Sequence, residues 1–142
     1  MRLMLEIEGG GEQEPLPHGG AGLCAFFSFA VSRGFGATHP LIALADRLHE
    51  QHHVRMGPLT TFYDGEIEDA EDRAKLELAW QDARGLGESL AALVAAMAGD
   101  EQSQVLARRG GAEELGEEAV ALLAQVSTAS GASRRVRMVY AL

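Results

Sequence analysis

Residues 2–8 read Arg-Leu-Met-Leu-Glu-Ile-Glu, with an apolar side chain at every second position. Successive side chains of a β-strand point to opposite faces of the sheet, so this alternation predicts a strand with one buried face. Residues 134–142, at the other end of the chain, alternate in the same way. Their buried face would hold Val136, Met138, Tyr140 and Leu142. The chain is therefore predicted to begin and end in a half-buried strand.

The charges of these two segments fit an antiparallel pairing. If positions whose numbers sum to 143 lie opposite each other, the polar face contains Glu8–Arg135, Glu6–Arg137 and Met4–Val139. The buried face then contains Ile7–Val136, Leu5–Met138 and Leu3–Tyr140. Opposite charges that face each other stabilise paired strands, whereas a parallel pairing would bring Arg2 near Arg135. We expect the two termini to meet in one small antiparallel sheet.

The chain between the terminal strands is predicted to be mainly helical. A Gly/Pro-rich loop at 9–22 should be followed by helices at about 23–33, 40–54, 66–98, 101–109 and 112–127. Residues 23–33 are apolar nearly all round, which is typical of a buried central helix. Gly34 and Gly36 would end this helix, and Thr38 or His39 would cap the next one ahead of Pro40.

The predicted fold class is α+β and mainly helical, in a single domain over residues 1–142. About four helices would pack against a small antiparallel sheet that joins the N- and C-terminal strands. Residues 59–63 (Leu-Thr-Thr-Phe-Tyr) are rich in β-forming residue types and are the natural third strand.

The predicted helix at 66–98 carries an apolar seam with steps of three and four residues. Its members are Leu76, Ala79, Ala83, Leu86, Leu90, Leu93 and Met97. Such a heptad pattern serves either as a dimer interface or as the core of a bundle within one chain. Packing within the chain is the default here, because other amphipathic helices are available.

The charge of the chain limits its partners. It has 21 acidic and 12 basic residues, for a net charge of −9. Nucleic acids and anionic membrane surfaces attract basic proteins, so neither is expected as a partner. A single cysteine excludes an internal disulfide, and acidic residues occupy the N-terminal region where a signal peptide needs its apolar run. We expect a cytoplasmic protein, and its heavy use of Ala, Gly and Arg is typical of GC-rich bacteria.

One short segment has the spacing of a zinc-hydrolase motif. Residues 49–53 read His-Glu-Gln-His-His, which fits H-E-x-x-H. On a helix, His49 and His53 would share a face and could both bind one zinc ion, with Glu50 as the general base for the zinc-bound water. Candidates for the third ligand are Asp46, Asp64, Glu66, Glu68, Asp69, Glu71 and Asp72.

A structural interpretation of the same histidines competes with the zinc site. His52 falls on the apolar stripe of the predicted helix, and His49 and His53 fall at the edge of that stripe. Cationic imidazoles in a last turn also complement the negative end of the helix dipole. On this interpretation the histidines pack or cap the end of the helix, and no cofactor is expected.

Cys24 lies near the start of a predicted helix, just after Gly19-Gly20-Ala21-Gly22. A helix N-terminus lowers the pKa of a thiol and makes it a better nucleophile. The stretch Gly-Leu-Cys-Ala-Phe-Phe-Ser at 22–28 resembles the segment around the nucleophile of papain-like and transglutaminase-like enzymes. That resemblance implies a partner histidine on a later strand, and no such strand is evident. The alternative is a small core residue, since free cysteine is among the most buried residue types.

The glycines before this helix allow one more interpretation, because a Gly-rich loop ahead of a helix is also typical of phosphate-binding sites. The loop lacks the Gly-Lys-Ser/Thr ending of such sites. A flexible connection is the simpler prediction.

Two functional hypotheses follow from the sequence. The first is a small acidic, non-enzymatic protein-interaction domain that binds a protein partner or associates with itself as a homodimer. It is supported by the acidic charge, the heptad seam and the lack of a complete catalytic set. The second is a zinc-dependent hydrolase in which His49 and His53 bind the metal and Glu50 is the catalytic base.

Overall fold

The computed structural model describes residues 2–33 and 39–141 of the chain. Its strands are β1 (Arg2–Ile7), β2 (Gly11–Glu12), β3 (Tyr63–Asp64), β4 (Gln81–Asp82) and β5 (Arg135–Ala141). Its helices are α1 (Ala21–Ala30), α2 (Pro40–His52), α3 (Met56–Leu59), α4 (Ala70–Leu78), α5 (Ala83–Gly99), α6 (Glu101–Arg109) and α7 (Leu115–Gly131). The architecture is α+β and mainly helical, with the helices packed against one small sheet, as predicted.

The terminal strands pair in the predicted register. β1 and β5 are antiparallel, and the paired positions sum to 143 along the whole ladder from Arg2–Ala141 to Ile7–Val136. The predicted charge pairs are also present. Arg137 Nε lies 2.6 Å from Glu6 Oε2, and Arg135 pairs with Glu8.

The sheet is mixed, which corrects the prediction of a purely antiparallel one. β2 and β4 are antiparallel to their neighbours, but β3 runs parallel to β5. The predicted third strand at 59–63 is also wrong, because residues 56–59 form α3 and strand pairing begins only at Tyr63. The two β-prone threonines instead close the helical turn. Thr60 Oγ1 donates to Met56 O at 3.0 Å, and Thr61 Oγ1 donates to Gly57 O at 2.8 Å.

The predicted helix at 66–98 is divided into α4 and α5, so that prediction is wrong. Asp82 starts α5 by accepting a hydrogen bond from the backbone N–H of Arg84 at 2.9 Å. Gln81 and Asp82 pair with β5 in the break between the helices. In the sequence, the apolar seam runs through this break without interruption. Ala79 and Ala83, on either side of the break, keep the spacing of the seam and are both buried. This division and the short α3 raise the number of described helices to seven, where the sequence predicted five helical ranges, with about four helices packed against the sheet.

The other predicted helices are all present, and most of them begin or end a few residues from the predicted positions. The predicted bounds of α6 are confirmed, whereas α2 ends at His52 and α7 spans Leu115–Gly131. The loop at 9–22 contains β2 and a 3-10 turn at Pro17–Gly20, and α1 begins at Ala21.

The start of α2 is capped by one of the two predicted residues. His39 Nδ1 accepts a hydrogen bond from the backbone N–H of Leu41 at 3.1 Å. The alternative cap Thr38 and the predicted helix stops Gly34 and Gly36 lie outside the described residues.

The apolar seam of α5 forms part of the core of this single chain. Leu86, Leu90 and Leu93 are fully buried, and α5 packs mainly against α7. Facing residues of α7 are buried as well, among them Leu115, Ala119, Leu122 and Val126. A dimer formed through this seam would require the core to open. Among the described helices, none is both long and apolar enough to cross a membrane.

Candidate functional site

The H-E-x-x-H segment lies at the end of α2. The helix stops at His52, and His53 adopts the left-handed conformation, with φ 54° and ψ 32°. The backbone N–H of Val54 then donates to Leu48 O, which closes the helix end. This positive φ turns the side chain of His53 away from the direction that a helical residue would have. His53 therefore lies outside the helical backbone that the motif's i, i+4 spacing assumes.

The three predicted zinc-site residues, His49, Glu50 and His53, are all exposed. His49 Nδ1 lies 3.4 Å from Val54 O. Within residues 2–33 and 39–141, no group of three or more His, Cys, Asp or Glu side chains could hold a metal ion. Zinc binding and general-base catalysis by Glu50 thus stay predictions that rest on sequence spacing alone.

The third histidine of the segment belongs to a polar cluster that sequence reasoning missed. His52 Nε2 lies 2.9 Å from Asp100 Oδ2. Arg47 donates to both oxygens of Asp100, at 2.6 and 3.0 Å, and Ser103 Oγ donates at 2.6 Å. Asp100 is only 15% exposed, and its hydrogen bonds, above all those from Arg47, hold the pKa of the carboxyl far below its ordinary value.

This Asp100 cluster joins the end of α2 to the start of α6. It contains a serine, a histidine and an aspartate, but the Ser103 hydroxyl donates to the carboxylate rather than to His52. Because the pKa of that carboxyl is held far below its ordinary value, Asp100 is too weak a base to activate the hydroxyl as nucleophilic catalysis would require. We interpret the cluster as a structural clasp. Its two sides are 48 residues apart in the chain, so no local pattern marks it.

A second buried carboxylate, Glu118 of α7, explains the glycines before α1. Glu118 is 1% exposed, and its Oε1 accepts a hydrogen bond from the backbone N–H of Leu23 at 3.0 Å. The N–H of Gly22 donates to the same carboxylate. A Cβ at Gly22 would lie 3.2 Å from Glu118 Oε1, so glycine leaves the space for the carboxylate. Gly20 turns the chain into the helix with φ 68°.

The N-terminus of α1 thus binds an anion, and that anion is part of the chain itself. The first N–H groups of a helix have no partner within the helix, and the positive end of its dipole favours a carboxylate. Burial raises the pKa of Glu118, while the two backbone hydrogen bonds oppose that rise. Because Glu118 occupies the N-terminus of α1, the loop does not present these N–H groups to a phosphate.

Cys24, on the first turns of α1, is a buried core residue. Burial raises the pKa of its thiol to about 11, and the nearby Glu118 carboxylate adds to the effect. Its backbone carbonyl accepts hydrogen bonds from Ser28 and Tyr140, at 2.7 and 3.1 Å. The helix N-terminus therefore does not activate this thiol as it would an accessible cysteine.

We expect Cys24 to resist thiol reagents in the folded protein. The thiolate is the reactive form, so a pKa of about 11 instead of 9.0 lowers its fraction at pH 8 about 100-fold, and burial blocks access further. The measurement is the rate of labelling by a disulfide-exchange reagent at pH 8, with and without denaturing urea. Fast labelling under native conditions would contradict this description of the site.

The surface around α4 is exposed, unlike the buried clusters around Asp100 and Glu118. None of the residues of α4 is buried, and Leu78 in its last turn is 79% exposed. Ile67, in the loop before the helix, is 49% exposed. A groove of about 560 Å³ separates residues 60–66 from the helix. On the helix side this α4 groove is lined by Asp72, Lys75, Leu78 and Ala79.

Carboxylates surround the α4 groove. Asp64, Glu66 and Asp72 line it, and Glu68 and Asp69 lie close enough to Tyr63 to act on its hydroxyl. Burial raises the pKa of the Tyr63 hydroxyl, and the carboxylates of Asp72, Asp69, Asp64 and Glu68 raise it further. That hydroxyl donates to Glu66 O at 3.0 Å. Part of the acidic run serves the start of α4, because Asp69 accepts a hydrogen bond from the N–H of Asp72 at 2.9 Å.

The C-terminal end of α4 is fixed to the outer face of the sheet. The guanidinium of Arg137 lies 4.2 Å from the centre of the Trp80 ring, a cation–π contact. Arg137 Nη1 also lies 3.6 Å from Glu77 Oε1. The helix is thus positioned by its C-terminal end, while the side facing residues 60–66 lines the groove.

No family model, no curated protein and no solved structure matches the chain. The candidate site is therefore chosen from the side chains of the chain itself. The carboxylates of the Asp100 cluster and of Glu118 already have partners within the fold, whereas the α4 groove combines apolar exposure, charge and open space. The α4 groove is the candidate functional site.

Proposed function

We propose that this protein is a non-enzymatic protein-interaction domain and that the α4 groove is its docking surface. The occupant we propose is a segment of a partner protein that is both basic and apolar. The observation that carries the proposal is the exposure of Leu78 on a helix that buries no side chain. Single exposed leucines are ordinary on protein surfaces, but this one lines a groove.

The energetics of α4 support this interpretation. A helix of nine residues is short, and such helices are marginal in water unless tertiary packing supports them. α4 lacks a buried face, so it contributes little apolar burial to the fold. A partner that covered Leu78 and Ile67 would supply that burial.

The charge of the surface selects the kind of partner. The groove itself is lined by Asp64, Glu66 and Asp72 against one cation, Lys75, which lies 3.8 Å from Glu71. Complementary charges speed encounter and disfavour wrong partners. A basic segment fits this surface, whereas the same acidic surface on a second copy of the chain would be repelled.

We expect replacement of Leu78 by serine to weaken binding of basic, apolar peptides at least about tenfold, since loss of a central anchor costs about 2 kcal/mol and about 1.4 kcal/mol is tenfold. The measurement is titration of a panel of synthetic peptides that combine lysine with valine or leucine, beside acidic peptides of equal length. Val120→Ser is the matched control, because Val120 is also exposed, at 54%, but lies on α7.

Two further results would support the same proposal or contradict it. Affinity should fall as salt is added, because exposed charges are screened within about 8 Å at physiological ionic strength. Equal losses in Leu78→Ser and Val120→Ser, or no binding by the unmodified protein, would contradict it. Self-association that Leu78→Ser abolishes would show instead that a second copy occupies the groove.

A further inference from the structure

We propose that the partner segment binds the α4 groove in an extended conformation and adds to the sheet as a strand beside β3. This inference rests on the proposed function and specifies how the partner is held. It follows from the position of β3 in the sheet and from the different nature of the two walls of the groove.

β3 is an edge strand. The order of strands is β2-β1-β5-β3, so β3 stands at one end of this path. Tyr63 pairs with Val139 and Asp64 pairs with Tyr140, both on β5. In the described residues, no strand pairs with the other side of β3. An edge of this kind presents backbone N–H and C=O groups to which another chain can bond.

One wall of the groove is formed by the continuous segment 60–66, which contains β3. In the described part of the chain, no backbone–backbone hydrogen bond outside the sheet involves residues 61–66. Two side chains do bond to this stretch, because Gln81 donates to Thr61 O and the Tyr63 hydroxyl donates to Glu66 O. The remaining outward groups are available to an added strand.

An extended occupant suits this wall better than a helical one. A helix satisfies its own backbone groups, so it would cover the outward N–H and C=O groups of β3 without bonding to them. Buried backbone groups without partners are costly. An extended segment pairs with them, and strand addition at a sheet edge is a common mode of peptide recognition.

The opposite wall provides side-chain recognition. Asp72, Lys75 and Leu78 recur every third residue, so they form one stripe along α4, and Asp72 and Leu78 are about 9 Å apart along the helix axis. Residues i and i+2 of a strand lie on one face and are about 7 Å apart. In a segment with a lysine or arginine two positions from an apolar residue, the cation can therefore contact Asp72 while the apolar side chain contacts Leu78.

Backbone methylation of a bound peptide tests the strand addition. The probes are the octapeptide Lys-Ser-Val-Ser-Lys-Ser-Val-Ser, in which lysine and valine alternate at every second position, and two analogues, N-methylated at the lysine and valine positions or at the serine positions. Alternate N–H groups of a strand point to opposite edges. We expect one analogue to lose at least about tenfold in affinity and the other to bind like the parent peptide. Amide hydrogen exchange at Tyr63 or Asp64 should also slow when the parent peptide is bound.

The outcomes separate this inference from the function on which it rests. If both methylated analogues bind like the parent while Leu78→Ser still weakens binding, strand addition is wrong and the docking surface remains. A lysine–leucine peptide of helical periodicity that binds more tightly than the alternating one would also overturn strand addition. If no probe binds, or if Leu78→Ser has no effect on binding, the proposed function fails together with this inference.

Discussion

Replacement of Glu118 by alanine is expected to lower the free energy of unfolding by about 2 to 4 kcal/mol. The change leaves two backbone N–H groups at the start of α1, those of Gly22 and Leu23, without their acceptor. Each buried donor left without a partner costs about 1 to 3 kcal/mol, and the removed side chain also leaves a cavity.

Chemical denaturation of the variant measures this loss. Glu117→Ala is the matched control, since Glu117 is the neighbouring residue on the same helix and its only described partner is the exposed His18, 3.3 Å away. We expect the control to unfold almost like the original protein. An unchanged midpoint for Glu118→Ala would show that the carboxylate does not cap α1.

The same carboxylate gives stability a characteristic pH dependence. Burial raises the pKa of Glu118 above its ordinary value of 4.5, so the folded state keeps a proton that the unfolded chain has already released. The part of the stability that comes from binding this proton is therefore complete below pH 4.5 and is lost as the pH rises through the raised pKa, while the hydrogen bonds to the start of α1 remain. Glu118→Gln cannot titrate. The difference in unfolding free energy between the two proteins should change over this interval and become constant above it.

Replacement of Gly110 by alanine is the second large effect, with an expected loss of about 1 to 3 kcal/mol from overpacking. Gly110 ends α6, and its backbone angles, φ −84° and ψ 1°, are open to any residue. The restriction is steric, since a Cβ there would lie 2.5 Å from Leu41 Cγ and 2.6 Å from Leu41 Cδ2. Leu41 is fully buried in α2, and a close-packed interior resists displacement of such a side chain.

A double-mutant cycle with Leu41→Ala tests this explanation. Leu41→Ala removes the colliding atoms, so Gly110→Ala should cost less in that background, and denaturation of the four proteins gives the coupling free energy. Gly85→Ala is the control, because a Cβ there meets nothing within 4 Å and alanine favours a helix by about 0.5 to 1 kcal/mol. Additive effects of the two core substitutions would contradict the steric account.

The sheet could be predicted from the sequence because two independent signals agreed. Alternation of apolar residues defined the buried faces of β1 and β5, and the charges at Glu6 and Arg137 fixed the register between them. The division between α4 and α5 was missed, since Ala79 and Ala83 keep a helical spacing through it. Aspartate is a preferred residue at a helix start, and Asp82 caps α5 by accepting a hydrogen bond from the N–H of Arg84. This sign was overlooked because the apolar pattern runs through the same position.

The partners of the two buried carboxylates, Asp100 and Glu118, could not be predicted from the sequence. Asp100 meets Arg47 and His52 only in the folded chain, so neither its neighbours nor its spacing mark it. Glu118 left a detectable sign, because it stands on the apolar face of α7 between Leu115 and Leu122. An acidic residue in such a position needs a buried partner. The identity of that partner, the start of α1, depends on tertiary packing.

The open surface at α4 was beyond prediction for a related reason. The heptad seam was expected to continue through this region, and a helix that carried it would have been buried. The break at β4 assigns the buried seam to α5 and leaves α4 without a buried face. Leu78 then becomes a surface residue beside the acids of residues 64–72.

The most direct test of the docking surface is a two-dimensional amide NMR titration of the labelled protein with the alternating lysine–valine peptide. We predict progressive shifts for the amides of residues 60–66 and 72–79, with little change at the end of α2 or along α7. Titration of the Leu78→Ser variant should greatly reduce these shifts. Shifts confined to other elements, or a spectrum unchanged by excess peptide, would contradict the assignment of the α4 groove as the docking surface.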